Sequence, residues 1–287
     1  MNILNNPLQP DQSRTELPFH PCIHPKANRT VARIHLPVAE GCNMSCRYCA
    51  RQHANSRTGL PGTSRKTMNP EQALNHLRAK RRIWGENAVV GISGPGEPLA
   101  NPETFETLKL IKANYPSHPL RLCTNGFLLK NKSQDLVQLG IKVISITING
   151  IDPEVVKILQ PCVKLGDVVL VGKTAATDLI ESQISGLKMA VAAGMFVKIN
   201  TVLAEGLNDG HMTTLARYLA EAGAGIMNIM PVAVPHSRSM LTPPNRQKVE
   251  ALRTECEKYL PQFRLCKQCR SDSAGIPGHI KEGGCCS

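Results

Sequence analysis

The sequence predicts an α/β fold, a partial parallel (βα)6 barrel, from two observations: six short β-rich apolar runs, and helical patterns with strong start signals between them. The strand candidates are residues 31–38, 88–93, 120–125, 143–149, 197–203 and 226–232. They read as near-continuous apolar runs, the pattern of parallel strands covered on both faces. Asn69-Pro70-Glu71 opens a helix over 72–84, Asn101-Pro102-Glu103 one over 104–113, and Asp152-Pro153-Glu154 one over 155–159. Each sets an Asn or Asp cap before a Pro at the first helical position, with an acid in the first turn. Further helices are expected over 175–193, 210–222 and 244–259. Right-handed crossovers then give an arc of six strands rather than a closed eight-fold barrel.

The chain has 287 residues, 41% hydrophobic and 20% charged, which excludes a disordered polymer. No run approaches the ~18 apolar residues of a membrane span. The polar start MNILNNPLQPDQSR is not a secretory signal, so a cytoplasmic location is expected. Net charge is +12, which suits a soluble basic protein, a nucleic-acid binder or a protein with an anionic substrate. Aromatic residues make up only 3%, too few for stacking single-stranded nucleic acid. The organisation expected is an N-terminal extension (1–30), a (βα)6 core (31–260) and a cysteine-rich C-terminal extension (261–287). His20 and Cys22 in the first extension, and four cysteines in the last, suggest ends tied down by something other than a hydrophobic core.

Eleven cysteines without an export signal point to metal ligands or catalytic thiols rather than disulfides. Cys42, Cys46 and Cys49 follow the first strand candidate, where such barrels place catalytic loops. The spacing CxxxCxxC can hold three irons of a [4Fe–4S] cube and leave the fourth open. Structural zinc usually takes four closed ligands in paired knuckles, which this triplet fits poorly. Three buried thiols by chance is the remaining alternative.

The triplet, with Tyr48 before its last cysteine, resembles the signature of the radical SAM superfamily. The resemblance implies that S-adenosylmethionine chelates the open iron, and that one electron from the cluster cleaves its sulfonium bond to give a 5′-deoxyadenosyl radical. Gly94-Pro95-Gly96-Glu97-Pro98 resembles the glycine-rich segment that holds the methionine amino group, with Gly94 and Gly96 allowing close approach and Glu97 accepting from the ammonium. Thr124, Asn125 and Asn149 end later strand candidates and are candidate polar contacts to SAM, although Asn-Gly is also a turn former.

Further runs resemble the NifB family of nitrogenase-cofactor biosynthesis proteins. They include His20-Pro21-Cys22, Arg33-Ile34-His35-Leu36-Pro37, Lys198-Ile199-Asn200, Met227-Asn228-Ile229-Met230-Pro231 and Cys266-Lys267-Gln268-Cys269. That resemblance implies fusion of two [4Fe–4S] substrate clusters around a SAM-derived carbide into the eight-iron precursor of the nitrogenase cofactor. It implies Cys266 and Cys269 as ligands of one substrate cluster and His20 and Cys22 as an amino-terminal ligand motif, so one or two auxiliary clusters besides the radical SAM cluster. Taken alone, CxxC at 266–269 also suits a zinc half-site or a redox pair; Arg264, Lys267 and Arg270 nearby favour thiolates in each case. His24 and His35 are weaker candidates.

The chain departs from the family pattern. A further family cysteine after the triplet is missing from residues 50–64, where His53 is a candidate replacement. Another lies where this chain has Arg121; Cys123, on the same strand face about 6.8 Å along, is a candidate substitute. Cys285 and Cys286 read as spare ligands or tail, and Cys162 and Cys256 as ordinary buried thiols. The leading expectation is a NifB-type cluster maturase. The alternatives are a diverged radical SAM enzyme with one auxiliary cluster acting on an organic or peptide substrate, and an Fe–S scaffold or carrier. Expected partners are a cluster donor, a cofactor carrier protein and a ferredoxin or flavodoxin reductant, with no membrane or nucleic acid.

Overall fold

A computed structural model describes residues 16–50, 60–233 and 239–277. Six parallel strands appear close to where they are expected: β1 (Arg33–His35), β3 (Val89–Ile92), β4 (Leu120–Thr124), β5 (Ile141–Thr147), β8 (Phe196–Leu203) and β9 (Ile226–Pro231). They lie in one open sheet in the order β1-β3-β4-β5-β8-β9, so every crossover moves to the next strand. The helices include α1 (Pro25–Thr30), α2 (Pro70–Trp84), α3 (Pro102–Asn114), α4 (Leu129–Gln138), α5 (Pro153–Leu159), α6 (Gly172–Ala192), α7 (Met212–Glu221) and α8 (Arg246–Glu257). No helix among the described residues is long and apolar enough to cross a membrane.

Helix α2 starts as its sequence dictates. Asn69 accepts from the Gln72 N–H, Gln72 returns the bond to the Asn69 N–H, and Pro70 occupies the first turn. Asp152 likewise caps α5 by accepting from the Glu154 N–H. Asn101 does not cap α3 with its side chain; the amide is used elsewhere. Helix α4 was not anticipated, because its Lys130-Asn131-Lys132-Ser133-Gln134-Asp135 stretch dilutes an apolar stripe reduced to Leu129 and Leu136.

Strands β3 and β9 are the near-continuous apolar runs expected, whereas β4, β5 and β8 alternate apolar with polar residues. Leu120, Leu122, Ile144, Ile146, Val197 and Ile199 join the helices in the main core. Their neighbours face the concave side in rows fixed by strand register. One row is His35, Gly91, Arg121, Val143 and Phe196. The next carries Cys123, Ser145 and Lys198, and the one above it Thr147, Asn200 and Asn228. Period-two patterning thus places a polar, thiol-bearing lining inside an apolar shell.

Both extensions are integral to the fold. Ile23, 1% exposed, packs with Val143, Ile226 and Phe263 to plug the lower end of the concave face. The end is therefore held by apolar burial, about 2 kcal/mol for a side chain of this size, which corrects the expectation of ends tied without a core. The C-terminal segment first follows β9, where Met227 bridges Gln262 in parallel. It then crosses the open seam and returns as β10 (Ala274–Gly275), antiparallel to β1. Cys266 and Cys269 lie on the crossing.

A second sheet of three strands, β2 (Met44–Ser45), β6 (Cys162–Leu165) and β7 (Val168–Val171), was not anticipated. Its hairpin pairs Ser45 with Cys162 and so braces the cysteine loop from outside.

Candidate functional site

Cys42, Cys46 and Cys49 line one cavity of about 320 Å3 together with Glu97, Arg121, Cys123, Cys22, Cys266 and Cys269. The loop that carries the triplet is fixed by three devices. Asn101 accepts from the Gly41 N–H at 3.0 Å and donates to the Gly41 carbonyl at 2.9 Å, which is why it leaves α3 uncapped. Gly96 donates to the Ala39 carbonyl and Glu97 to that of Gly41. A side chain at Gly96 would put its Cβ 1.9 Å from the Gly41 carbonyl oxygen, so only glycine permits this approach.

Burial pushes the Cys46 thiol up, and the neighbouring Cys49 and Cys42 add to that shift. The Cys46 thiol thus resists ionisation unless a cation binds it. The triplet fits a [4Fe–4S] cube, which takes each thiolate on a separate iron. No three His, Cys, Asp or Glu side chains among the described residues gather to hold a single ion.

Glu97 is 3% exposed, and burial lifts its carboxyl from 4.5 to about 7. Its Oε1 accepts from the Leu99 N–H at 3.0 Å and the Thr124 hydroxyl at 2.5 Å, and Oε2 from the Asn125 N–H at 2.6 Å. One lone pair on Oε2 is left for an ammonium. Thr124 and Asn125 act mainly through this clamp, and Asn125 also donates to Asn43 at 2.7 Å. Asn149, expected as a SAM contact, is bonded within the protein. Its amide donates to the Tyr48 hydroxyl and Gln160 and accepts from the Val202 N–H, so it props the cysteine loop from behind.

Residues 36–219 match the Radical SAM superfamily. The chain is 39% identical to the FeMo cofactor biosynthesis protein NifB of Methanocaldococcus jannaschii over 264 residues, 92% of this chain and 87% of that one. The chain belongs to the NifB family of radical SAM enzymes. It is 37% identical to the NifB of Klebsiella pneumoniae, over 90% of this chain and 57% of that longer protein. Among solved structures, a radical SAM methyltransferase from Sphaerobacter thermophilus has the same fold, with TM-score 0.57 and 17% identity over 83% of this chain and 66% of that one. So does HydG, a maturase of the [FeFe]-hydrogenase, with TM-score 0.56 and 17% identity over 82% and 52%. Membership in the superfamily implies a [4Fe–4S] cluster and SAM.

The remaining NifB-type candidates sort by geometry. Cys266 and Cys269 reach the cavity of the triplet from the seam-crossing loop, where the Gln268 N–H donates to Cys266 Sγ at 3.5 Å. Two of the three cations expected to acidify them are engaged elsewhere: Arg264 with Glu250 and Glu257, Arg270 with Asp272. Burial therefore pushes the Cys269 thiol up to about 11, against the pull of Arg33. His20 accepts the Cys22 N–H at Nδ1, 3.0 Å, so its Nε2 carries the proton and offers no lone pair to iron. Its buried Nε2 has no protein partner, so the expected ligand role calls for the other tautomer.

His35, ranked low from sequence, has the opposite arrangement. Its Nδ1 meets the Arg270 carbonyl at 2.9 Å, which assigns the proton there and leaves a buried Nε2 lone pair without a partner. Burial and Arg121 hold the ring neutral, at about 3. A carbonyl-oriented imidazole with its other nitrogen free is the arrangement of a metal ligand. The sequence signals were the alternation of Arg33 and His35 about Ile34 and the family-like run that contains them. His24 caps α1. Cys256 is a buried thiol pushed up to about 11 by burial, as expected, whereas Cys162 is only partly buried and sits in the hairpin opposite Ser45. His53, Cys285 and Cys286 lie outside the described residues.

Proposed function

We propose that the chain carries out NifB-type maturation, assembling a precursor of the nitrogenase cofactor from iron–sulfur substrate clusters and SAM-derived carbon. The observation that carries this reading is that the triplet and the Cys266–Cys269 loop line the same cavity. Cys42, Cys46 and Cys49 would hold the radical SAM cluster, with the loop over 94–97 and the Glu97 clamp at the methionine end of SAM. Bound there, the cluster and SAM supply one-electron cleavage of the sulfonium bond. The protein's part is to orient the cofactor through Gly96 and Glu97 and to close off water with the seam-crossing segment. Cys266, Cys269 and His35 supply ligands for an auxiliary or substrate cluster. This reading calls for a cluster donor, a cofactor carrier and a ferredoxin or flavodoxin reductant in a reducing, cytoplasmic setting.

One observation favours a second reading, a diverged radical SAM enzyme with a single auxiliary cluster acting on an organic or peptide substrate. The Arg121 guanidinium lies between Cys22 and Cys123, donating to both sulfurs. A cation there occupies the place where a further cluster would need ligands.

Anaerobic reconstitution with iron counting, followed by turnover with methyl-labelled SAM, separates the readings. About 12 irons per chain with labelled carbon in an iron–sulfur product supports cluster fusion. About 8 irons with 5′-deoxyadenosine formed and no labelled cluster supports the second reading. Clusters bound without SAM cleavage would leave only a scaffold.

A further inference from the structure

A second cavity, of about 820 Å3, shares the Cys266–Cys269 loop with the site but extends from it toward α8. Six cations line it: Arg33, Arg246, Arg253, Arg264, Lys267 and Arg270, against one carboxylate, Glu250. Glu250 bridges Arg253 and Arg264, Glu257 also holds Arg264, and Asp272 holds Arg270. Arg33, Arg246 and Lys267 have no carboxylate partner among the described residues. The cavity thus keeps a surplus of positive charge after all its ion pairs are formed.

Two of these guanidinium groups are buried, Arg33 at 1% and Arg253 at 8% exposure, and each has an Nε without a hydrogen-bond partner. Arg33 otherwise donates to the Gly275 carbonyl, which offsets little of the cost of a buried cation. Arg253 has Glu250 as counter-ion, so the buried charge left without a carboxylate is that of Arg33, and buried charges are normally paired. Five arginines to one lysine suits planar, bidentate contacts to phosphate or carboxylate. The volume falls in the range of small-molecule pockets, and a flat protein surface or a nucleic-acid backbone cannot reach Arg33 or Arg253 in its walls.

We propose that this cavity binds a small molecule bearing two or more phosphate or carboxylate groups. The inference rests on the charge and shape of this cavity, whose Arg33 also faces Cys269 of the neighbouring site, which is why metal-free and reconstituted protein are compared.

Calorimetric titration with inorganic pyrophosphate and with citrate tests it, on metal-free and reconstituted protein at physiological salt. The expected result is saturable 1:1 binding of at least one probe with Kd below about 100 μM. Citrate alone identifies a polycarboxylate ligand and pyrophosphate alone a phosphate ligand. The double variant Arg246→Glu/Lys267→Glu, at two exposed positions, should weaken binding at least about tenfold, as should Arg33→Gln. Should Arg33→Gln fail to fold, the double variant carries the test. Absence of saturable binding by either probe overturns the proposal. So does binding that the double variant leaves unchanged, or binding of only an acidic peptide or DNA.

Discussion

The Arg121 guanidinium donates through Nη1 to Cys22 Sγ at 2.5 Å, joining β4 to the N-terminal extension inside the cavity. Its Nη2 reaches Cys123 on the same strand face. Gly91, between His35 and Arg121 in the register, makes this possible: a Cβ there would lie 3.1 Å from the His35 ring and 3.2 Å from Arg121. Replacing Arg121 by Cys removes the cation and adds a third sulfur to Cys22 and Cys123. Iron bound after anaerobic reconstitution should rise by about 4 per chain. Unchanged iron would mean that the guanidinium is not what keeps a further cluster out.

The triplet and the seam-crossing loop should be separable by mutation. Cys46→Ala is expected to abolish 5′-deoxyadenosine formation while iron at the Cys266–Cys269 loop remains. Cys266→Ala is expected to leave SAM cleavage in place and remove product-cluster formation. Loss of all iron in either variant would show that the ligand sets are misassigned.

Gly96→Ala places a methyl group against backbone that cannot swing away. The expected cost is about 2–3 kcal/mol, or a fall in Tm of about 4–10 °C for the metal-free chain, with SAM binding lost. A variant that melts like the parent would show that the loop over 39–41 can retreat cheaply.

Glu97 gives a pH signature of two opposite signs. Its folded-state value of about 7 lies above its ordinary 4.5, so the buried site favours the neutral form. The corresponding stability is fully present below about pH 4.5 and is lost as pH rises through about 7, an effect of about 3 kcal/mol at most. Binding of the SAM ammonium needs the anion, so affinity should weaken as pH falls from 8 to 6. Glu97→Gln should flatten that dependence in equilibrium binding; a slope that survives in the variant would assign it to another group.

Ile23→Ala empties the plug beneath the site. Unfolding of the metal-free chain should become easier by about 3 kcal/mol, and Cys22 should become more reactive toward thiol reagents. Unaltered thiol reactivity would separate the plug from the placement of Cys22.

The six strands, three helix starts and the CxxxCxxC loop were legible in the chain because local chemistry fixes each of them. Caps, proline positions and cysteine spacing act over a few residues. The hairpin over 162–171 had a local signal, Gly166-Asp167 between two apolar runs, but its pairing with Met44–Ser45 joins segments more than a hundred residues apart. The roles of Asn101, Asn149, His20 and His35 were equally out of reach, since each depends on which carbonyl or amide the fold brings alongside. Sequence by itself therefore determined the architecture, the cluster-binding triplet and the family. Tertiary structure alone decided which imidazole keeps a free lone pair, that an arginine stands among the inner sulfurs, and that the C-terminal cysteines line the same cavity as the triplet. Those outcomes turn on contacts between strands and termini far apart in the chain, where register and burial set each hydrogen bond.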